Sequence, residues 1–177
     1  RLCNTFIDLG VKKLRITGGE PLVRKNIMKL FSNLGKKIGH GLEELTLTTN
    51  GSQLDRYAKD LLNNGVRRVN ISLDSLDKNK FKKITRIGDF DKVINGIMAA
   101  KKTGLKIKIN TVALKGVNDN EILKLVNWCG ENKFSLTFIE VMPMGEIGIK
   151  RSEQYMPLTE VRELIQTKYS LTDDPLR

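Results

Sequence analysis

Arg15-Ile16-Thr17-Gly18-Gly19-Glu20-Pro21-Leu22 is a short β-branched run that breaks into two glycines, an acid and a proline. Paired glycines let the main chain take positive φ and come close to a ligand, Glu20 fixes a negative charge, and Pro21 stiffens the exit. Such a loop suits an amino group. An isolated Gly-Gly pair is equally what an ordinary strand-to-loop turn contains, so the surrounding chain has to decide between the two.

Outward from that stretch, five β-rich segments recur, at Lys13 to Thr17, Glu44 to Thr49, Arg68 to Leu73, Lys106 to Val112 and Leu136 to Met142. Between and after them, Asn26 to Lys37, Gln53 to Asn64, Asp89 to Thr103, Asp119 to Asn132 and Thr159 to Lys168 carry apolar residues at helical spacing. A further helix is under way at the start, through Leu2, Phe6 and Leu9. Gly10, Gly65 and Gly104 each follow a helical stretch and precede a basic residue and a strand, the return of a repeating β/α unit. A parallel sheet is predicted.

The strands do not read as the continuous apolar runs of a sheet buried on both faces. Arg15, Thr17 and Gly19 share one face, as do Thr46, Thr48 and Asn50, then Asn70, Ser72 and Asp74, then Lys106, Lys108 and Asn110. Their alternates are mostly Ile, Leu and Val. One face therefore packs under helices, and the other is polar: a curved sheet around a wet lumen, or a half-exposed sheet. The helices after every strand favour an α/β fold of incomplete (β/α) barrel type, with parallel strands, outer helices and the first strand missing. Polar groups gather at the C-terminal strand ends, the rim where sites form in such barrels. The whole chain, 1–177, reads as one partial barrel domain.

Composition narrows the function. With 40% hydrophobic residues in 177, a sizeable core is available, and no apolar run approaches the roughly 20 residues of a membrane span. The expected compartment is the cytoplasm, and no membrane partner is expected. Cys3 and Cys129 form no paired spacing and read as small hydrophobes. A net charge of +11 favours anionic partners, but the charges are scattered doublets and aromatics are only 6%, which argues against nucleic acid. His40, between two glycines, reads as a turn residue.

Arg15 and Lys108 sit mid-strand on the inferred inner face, where a charge needs an anion. Salt bridges to Asp74 or Glu140 would serve, and so would a bound phosphate or carboxylate. Leu47-Thr48-Thr49-Asn50-Gly51 ends a strand in directional hydrogen-bonding groups or in a plain turn. Ser72 and Asp74 project together, to hold vicinal hydroxyls or to cap the helix beginning near Ser75. Met142, in Met142-Pro143-Met144-Gly145, is soft apolar surface suited to an adenine or to core filling.

Together with Arg67-Arg68-Val69-Asn70-Ile71-Ser72-Leu73-Asp74-Ser75-Leu76, Lys108-Ile109-Asn110-Thr111-Val112, Lys115-Gly116-Val117-Asn118-Asp119 and Phe138-Ile139-Glu140-Val141-Met142, these motifs resemble one family in order and spacing. It is the family of GTP 3′,8-cyclases of molybdenum cofactor biosynthesis, which are radical S-adenosylmethionine (SAM) enzymes. The resemblance implies a [4Fe-4S] cluster that cleaves SAM, a 5′-deoxyadenosyl radical taking hydrogen from C3′ of GTP, and closure onto guanine C8. Carried over by position, Gly19 and Glu20 hold the methionine end of SAM, Ser72 its ribose region and Met142 the adenine side. Arg15, Thr48 and Lys108 line the GTP site. A cellular reductant is implied as a partner, and a homodimer is a further expectation. No general acid or base is assigned, since radical hydrogen abstraction is the cofactor's chemistry.

Two departures accompany the resemblance. The family's Cys-x-x-x-Cys-x-x-Cys motif is absent, so the chain reads as a middle segment that is inactive by itself, with cluster ligands upstream and a second cluster beyond Arg177. Thr137 stands where relatives carry a basic residue. The alternatives are a sister radical SAM enzyme, such as a peptide-modifying maturase, and a non-catalytic nucleotide-binding barrel relative.

Overall fold

The computed structural model describes residues 1–142 and 151–174. Helix α1 (Leu2–Asp8) leads into β1 (Lys13–Ile16), followed by α2 (Ile27–Gly35), β2 (Glu44–Thr49), α3 (Leu54–Asn63) and β3 (Arg68–Ser72). Two helices, α4 (Lys78–Thr85) and α5 (Phe90–Lys102), then precede β4 (Lys106–Ala113), α6 (Ile122–Asn132), β5 (Ser135–Glu140) and α7 (Leu158–Gln166). The five strands lie in sequence order, β1-β2-β3-β4-β5, and every pairing is parallel. Parallel neighbours need crossovers, and α2, α3, the α4–α5 pair and α6 supply them.

Alternation along the strands separates the two faces as the sequence predicts. Leu45, Leu47, Val69, Ile71, Ile107 and Ile109 are buried on the helical side, against Phe31, Leu34, Leu54, Leu61 and Ile97. Ala113, Ile122, Met156 and Val161 form a second, smaller cluster where α6 and α7 meet. Helix α5 comes so close to the end of β2 that a Cβ added at Gly96 would run into the carbonyl oxygen of Gly51.

Among the described residues the sheet does not close, and β1 and β5 are its edges. Arg15 lies on the polar face as read, opposite Thr46, and is exposed on β1, an edge strand among the described residues. Boundaries moved modestly: β5 ends at Glu140 rather than Met142, and the first turn of the helix read from Asp119 is a 3-10 segment, Asp119–Glu121. The start of the chain is helical, as Leu2, Phe6 and Leu9 imply, although α1 buries only Ile7.

Candidate functional site

Register aligns the polar positions in rows across the sheet. Arg15 pairs with Thr46; Thr48 with Asn70, and Asn70 with Lys108; Ser72 with Asn110, and Asn110 with Thr137. The sequence-predicted residues Arg15, Thr48, Lys108 and Ser72 therefore share one face. Thr48 and Lys108 are half-buried, and Ser72 is exposed. Between Thr48 and Lys108, Asn70 is buried, and its Oδ1 has no hydrogen-bond partner among the described residues. A buried acceptor without a donor is costly and is a mark of a site completed by something else. Thr137 extends the third row on β5, half-buried.

The loop after β1 is held by its own acid. The Glu20 carboxylate accepts the amide of Leu22 at 3.0 Å, the hydroxyl of Thr49 at 2.7 Å and the amide of Asn50 at 2.6 Å. Glu20 thus caps the 3-10 turn Pro21–Val23 and ties the β1 loop to the end of β2. Gly18 has φ 151°, whereas Gly19 does not take positive φ; beside both, the space a Cβ would occupy is open. The acid fixes the loop, and the glycines leave bare backbone facing free volume. That arrangement can accept a ligand at van der Waals distance from the main chain.

The end of β3 opens onto a cavity of about 470 Å³, whose walls include Asn50 and Ser52 from the β2 turn, Ser72 from β3 and Asp74 just beyond it, and Asp89 and Lys92 from the start of α5. The helix cap that Ser72 or Asp74 could have supplied comes from another residue. Neither caps the next helix, because Asp77 does so, accepting the amides of Asn79 and Lys80, both at 2.9 Å. Asp74 accepts the amide of Val112 at 2.8 Å. Burial pushes its carboxyl above the ordinary carboxylate value, and this one amide only partly offsets that. At the lip, Arg86 has φ 66° and ψ −53°, with the Ile87 amide donating to Thr85 O at 2.8 Å, a strained γ-turn. It turns Ile87 outward, 97% exposed. Sequence reading missed the contribution of Thr85 to Lys92. Its signal was present, since Gly88-Asp89 announces a helix start, but nothing in it points to a ligand.

Glu140, considered as a partner for Arg15 or Lys108, instead accepts the amide of Leu158 at 2.9 Å and the Tyr155 hydroxyl at 3.3 Å. Neither Asp74 nor Glu140 pairs with Arg15. Met142 is 65% exposed, which excludes core filling; Pro143, Met144 and Gly145 lie outside the described residues. Cys3 is on α1 and Cys129 on α6, where burial pushes its thiol up to about 12 and makes it a poor thiolate ligand. No group of three or more His, Cys, Asp or Glu placed to hold a metal ion occurs among the described residues. These residues do not fit an iron–sulfur cluster's thiolate set, whereas the open glycines, the orphaned Asn70 acceptor and the cavity at Ser72 fit an organic ligand.

The described helices include none long and apolar enough to cross a membrane. Comparison with known proteins bears on the family and the fold. The chain is 60% identical over 173 residues to a GTP 3′,8-cyclase of Rhizobium etli (strain CIAT 652), covering 98% of this chain and 50% of that protein. It is 56% identical over 173 residues to a GTP 3′,8-cyclase of Paracoccus denitrificans (strain Pd 1222), covering 97% and 50%. The chain thus spans about half the length of the curated relatives it matches. Its fold is similar to that of Streptococcus suis SuiB bound to S-adenosylmethionine, with a TM-score of 0.69 and 24% identity over 94% of this chain and 38% of that one. The radical SAM superfamily model matches residues 1–129, and the chain belongs to that superfamily.

Proposed function

We propose that this chain contributes the SAM and substrate rim of a GTP 3′,8-cyclase acting in molybdenum cofactor biosynthesis in the cytoplasm. The observation that carries the reading is the placement of Arg15, Thr48, Asn70 and Lys108 on one face of the sheet beside a cavity-lining Ser72, in a sequence 60% identical to a curated cyclase.

In this reading Gly18 and Gly19 present backbone to the methionine end of SAM, with Glu20 as the post that holds the loop. Ser72 and Asp74 take the ribose hydroxyls, Ser72 as a neutral partner and Asp74 as an acceptor. Met142 offers its exposed thioether surface to the adenine. Arg15 and Lys108 approach the triphosphate from β1 and β4, a guanidinium able to chelate and an ammonium acting as a point charge. Thr48 adds a hydroxyl between them, and the Asn70 acceptor awaits a donor. SAM, when bound with a [4Fe-4S] cluster and a cellular reductant, supplies the radical chemistry; the described residues bind and orient. Function as a single domain over 1–177 and assembly as a homodimer are parts of the same proposal.

The test is anaerobic turnover by the intact gene product with iron, sulfide, reductant, SAM and GTP. The expected result is 5′-deoxyadenosine formation that depends on GTP. Formation that ignores GTP assigns the protein to another radical SAM activity. Gly19→Ala sharpens the test, because the added methyl enters open space: the variant should keep its Tm and lose SAM binding.

A further inference from the structure

Two buried residues outside the cavity are tied to its rim by side-chain hydrogen bonds. Asn118, 1% exposed, donates from Nδ2 to the carbonyls of Asp74 at 2.7 Å and Val112 at 2.9 Å, and its Oδ1 accepts the amide of Leu114 at 2.8 Å. Glu121, 5% exposed, has both carboxylate oxygens 3.0 Å from the Ser75 hydroxyl; it accepts the Leu76 amide at 2.9 Å and pairs with Lys80 Nζ at 3.0 Å. Ser75 is fully buried, and its Oγ also accepts the Asp77 amide at 2.9 Å. Every one of these bonds leaving the 118–121 turn, apart from those to Val112 and Leu114, lands on the segment from Asp74 to Lys80.

That segment leaves the sheet after Ser72. Among the described residues, hydrogen bonds of Leu73 with Asn110 and Thr111, and of the Asp74 side chain with Val112, connect it to β4, while Leu76 packs on the core and Lys78 pairs with Asp91 further along. We propose that Asn118 and Glu121 are positioning residues: a clamp from the loop after β4 that sets the backbone of Asp74, Ser75 and Leu76, and with it the placement of Ser72 and Asp74 toward the ligand. The clamp touches no ligand. It acts through the loop, and its functional part rests on the assignment of Ser72 to the SAM site.

The experiment uses Asn118→Asp, Glu121→Gln and the milder Ser75→Ala in the intact gene product. Two quantities are read well below Tm: amide hydrogen exchange over residues 72–77 without ligand, and the affinities for SAM and for GTP. The carboxylate introduced by Asn118→Asp cannot donate to the two carbonyls, so exchange over 72–77 should accelerate while residues 45–49 of β2 stay protected. SAM affinity should fall ~10-fold to ~100-fold, as small misplacements of binding groups do, with GTP affinity far less affected. If Asn118→Asp does not fold, Ser75→Ala decides by the same readouts in the same direction. Unchanged exchange over 72–77 overturns the clamp. Faster exchange with unchanged SAM affinity, or equal loss of both ligands, overturns its role in positioning. A wild-type protein that binds no SAM overturns the assignment of Ser72, and with it the clamp's functional part; the exchange data still decide the clamp itself.

Discussion

Asp74, at the end of β3, and Glu121, in the turn after β4, belong to adjoining loops and have opposite standing. Asp74 has one amide for its carboxylate, and burial raises its pKa. Burial works against the charge of Glu121 as well, but Lys80, the Leu76 amide and the Ser75 hydroxyl outweigh it and hold that carboxyl below the ordinary value. Burial alone therefore does not separate a structural acid from a functional one. Satisfaction does: the acid whose acceptor capacity is filled by its own chain holds the fold, and the acid left with capacity to spare borders the cavity.

Replacing Glu121 with Ala should give the largest effect, a loss of roughly 2–4 kcal/mol in denaturant unfolding, because the buried Ser75 hydroxyl is left with the Asp77 carbonyl alone and the part-buried Leu76 amide and Lys80 ammonium lose their carboxylate. A change below about 1 kcal/mol would dissolve the contrast. Asp74→Asn should be nearly neutral or stabilising, within about 1 kcal/mol, since an amide oxygen still accepts from Val112 and the desolvated charge is gone. Calorimetry with SAM should nevertheless show weakened binding. If stability falls and binding survives, the two acids have been assigned the wrong way round.

Acidity tests the same pair with opposite signs. Glu121, with its folded pKa depressed, contributes stability that is present above its unfolded value of about 4.3 and is lost as pH falls through the folded value. Asp74, with its folded pKa raised, binds its proton more tightly when folded, so protonation recovers stability on acidification. Unfolding midpoints measured from neutral pH into the carboxylate range should therefore drop more steeply in Asp74→Asn than in wild type, and less steeply in Glu121→Gln. The smallest effect belongs to Asn120→Ala. Asn120 accepts from Lys80 Nζ at 2.6 Å in an exposed position, and its loss should stay within about 0.5 kcal/mol by thermal melting.

Most of the sheet was legible because alternation is a local property. Thr46, Leu47, Thr48 and Thr49 announce their faces without reference to any other strand, and the parallel order follows from helices at each return. Helix α4 was harder, since Lys78-Asn79-Lys80-Phe81-Lys82-Lys83 buries only Phe81 and shows no apolar stripe. Alternation put Arg15, Thr48, Lys108 and Ser72 on one face, as the register has them, yet how far each is buried depends on its neighbouring strands and helices, which no four-residue pattern contains. Glu20 read as a charge offered outward, and its three partners lie partly across the β2 loop, 29 and 30 residues away. Glu121 passed unnoticed for the same reason: it reads as an ordinary first-turn acid, and its partners Ser75 and Leu76 are 46 and 45 residues distant.

The contact of Gly96 with the Gly51 carbonyl bears on any attempt to redesign this rim. Backbone meets backbone at this point, with the Val93 side chain packed beside the turn, so the closeness of α5 depends on there being no side chain at 96. A larger residue at 96 would shift the whole helix, carrying Lys92 and Asp89 away from Asn50 and Ser52 and opening the mouth rather than filling it. Changes of ligand preference should therefore be sought at the outward-turned Ile87, where the wall can be altered without moving its foundations.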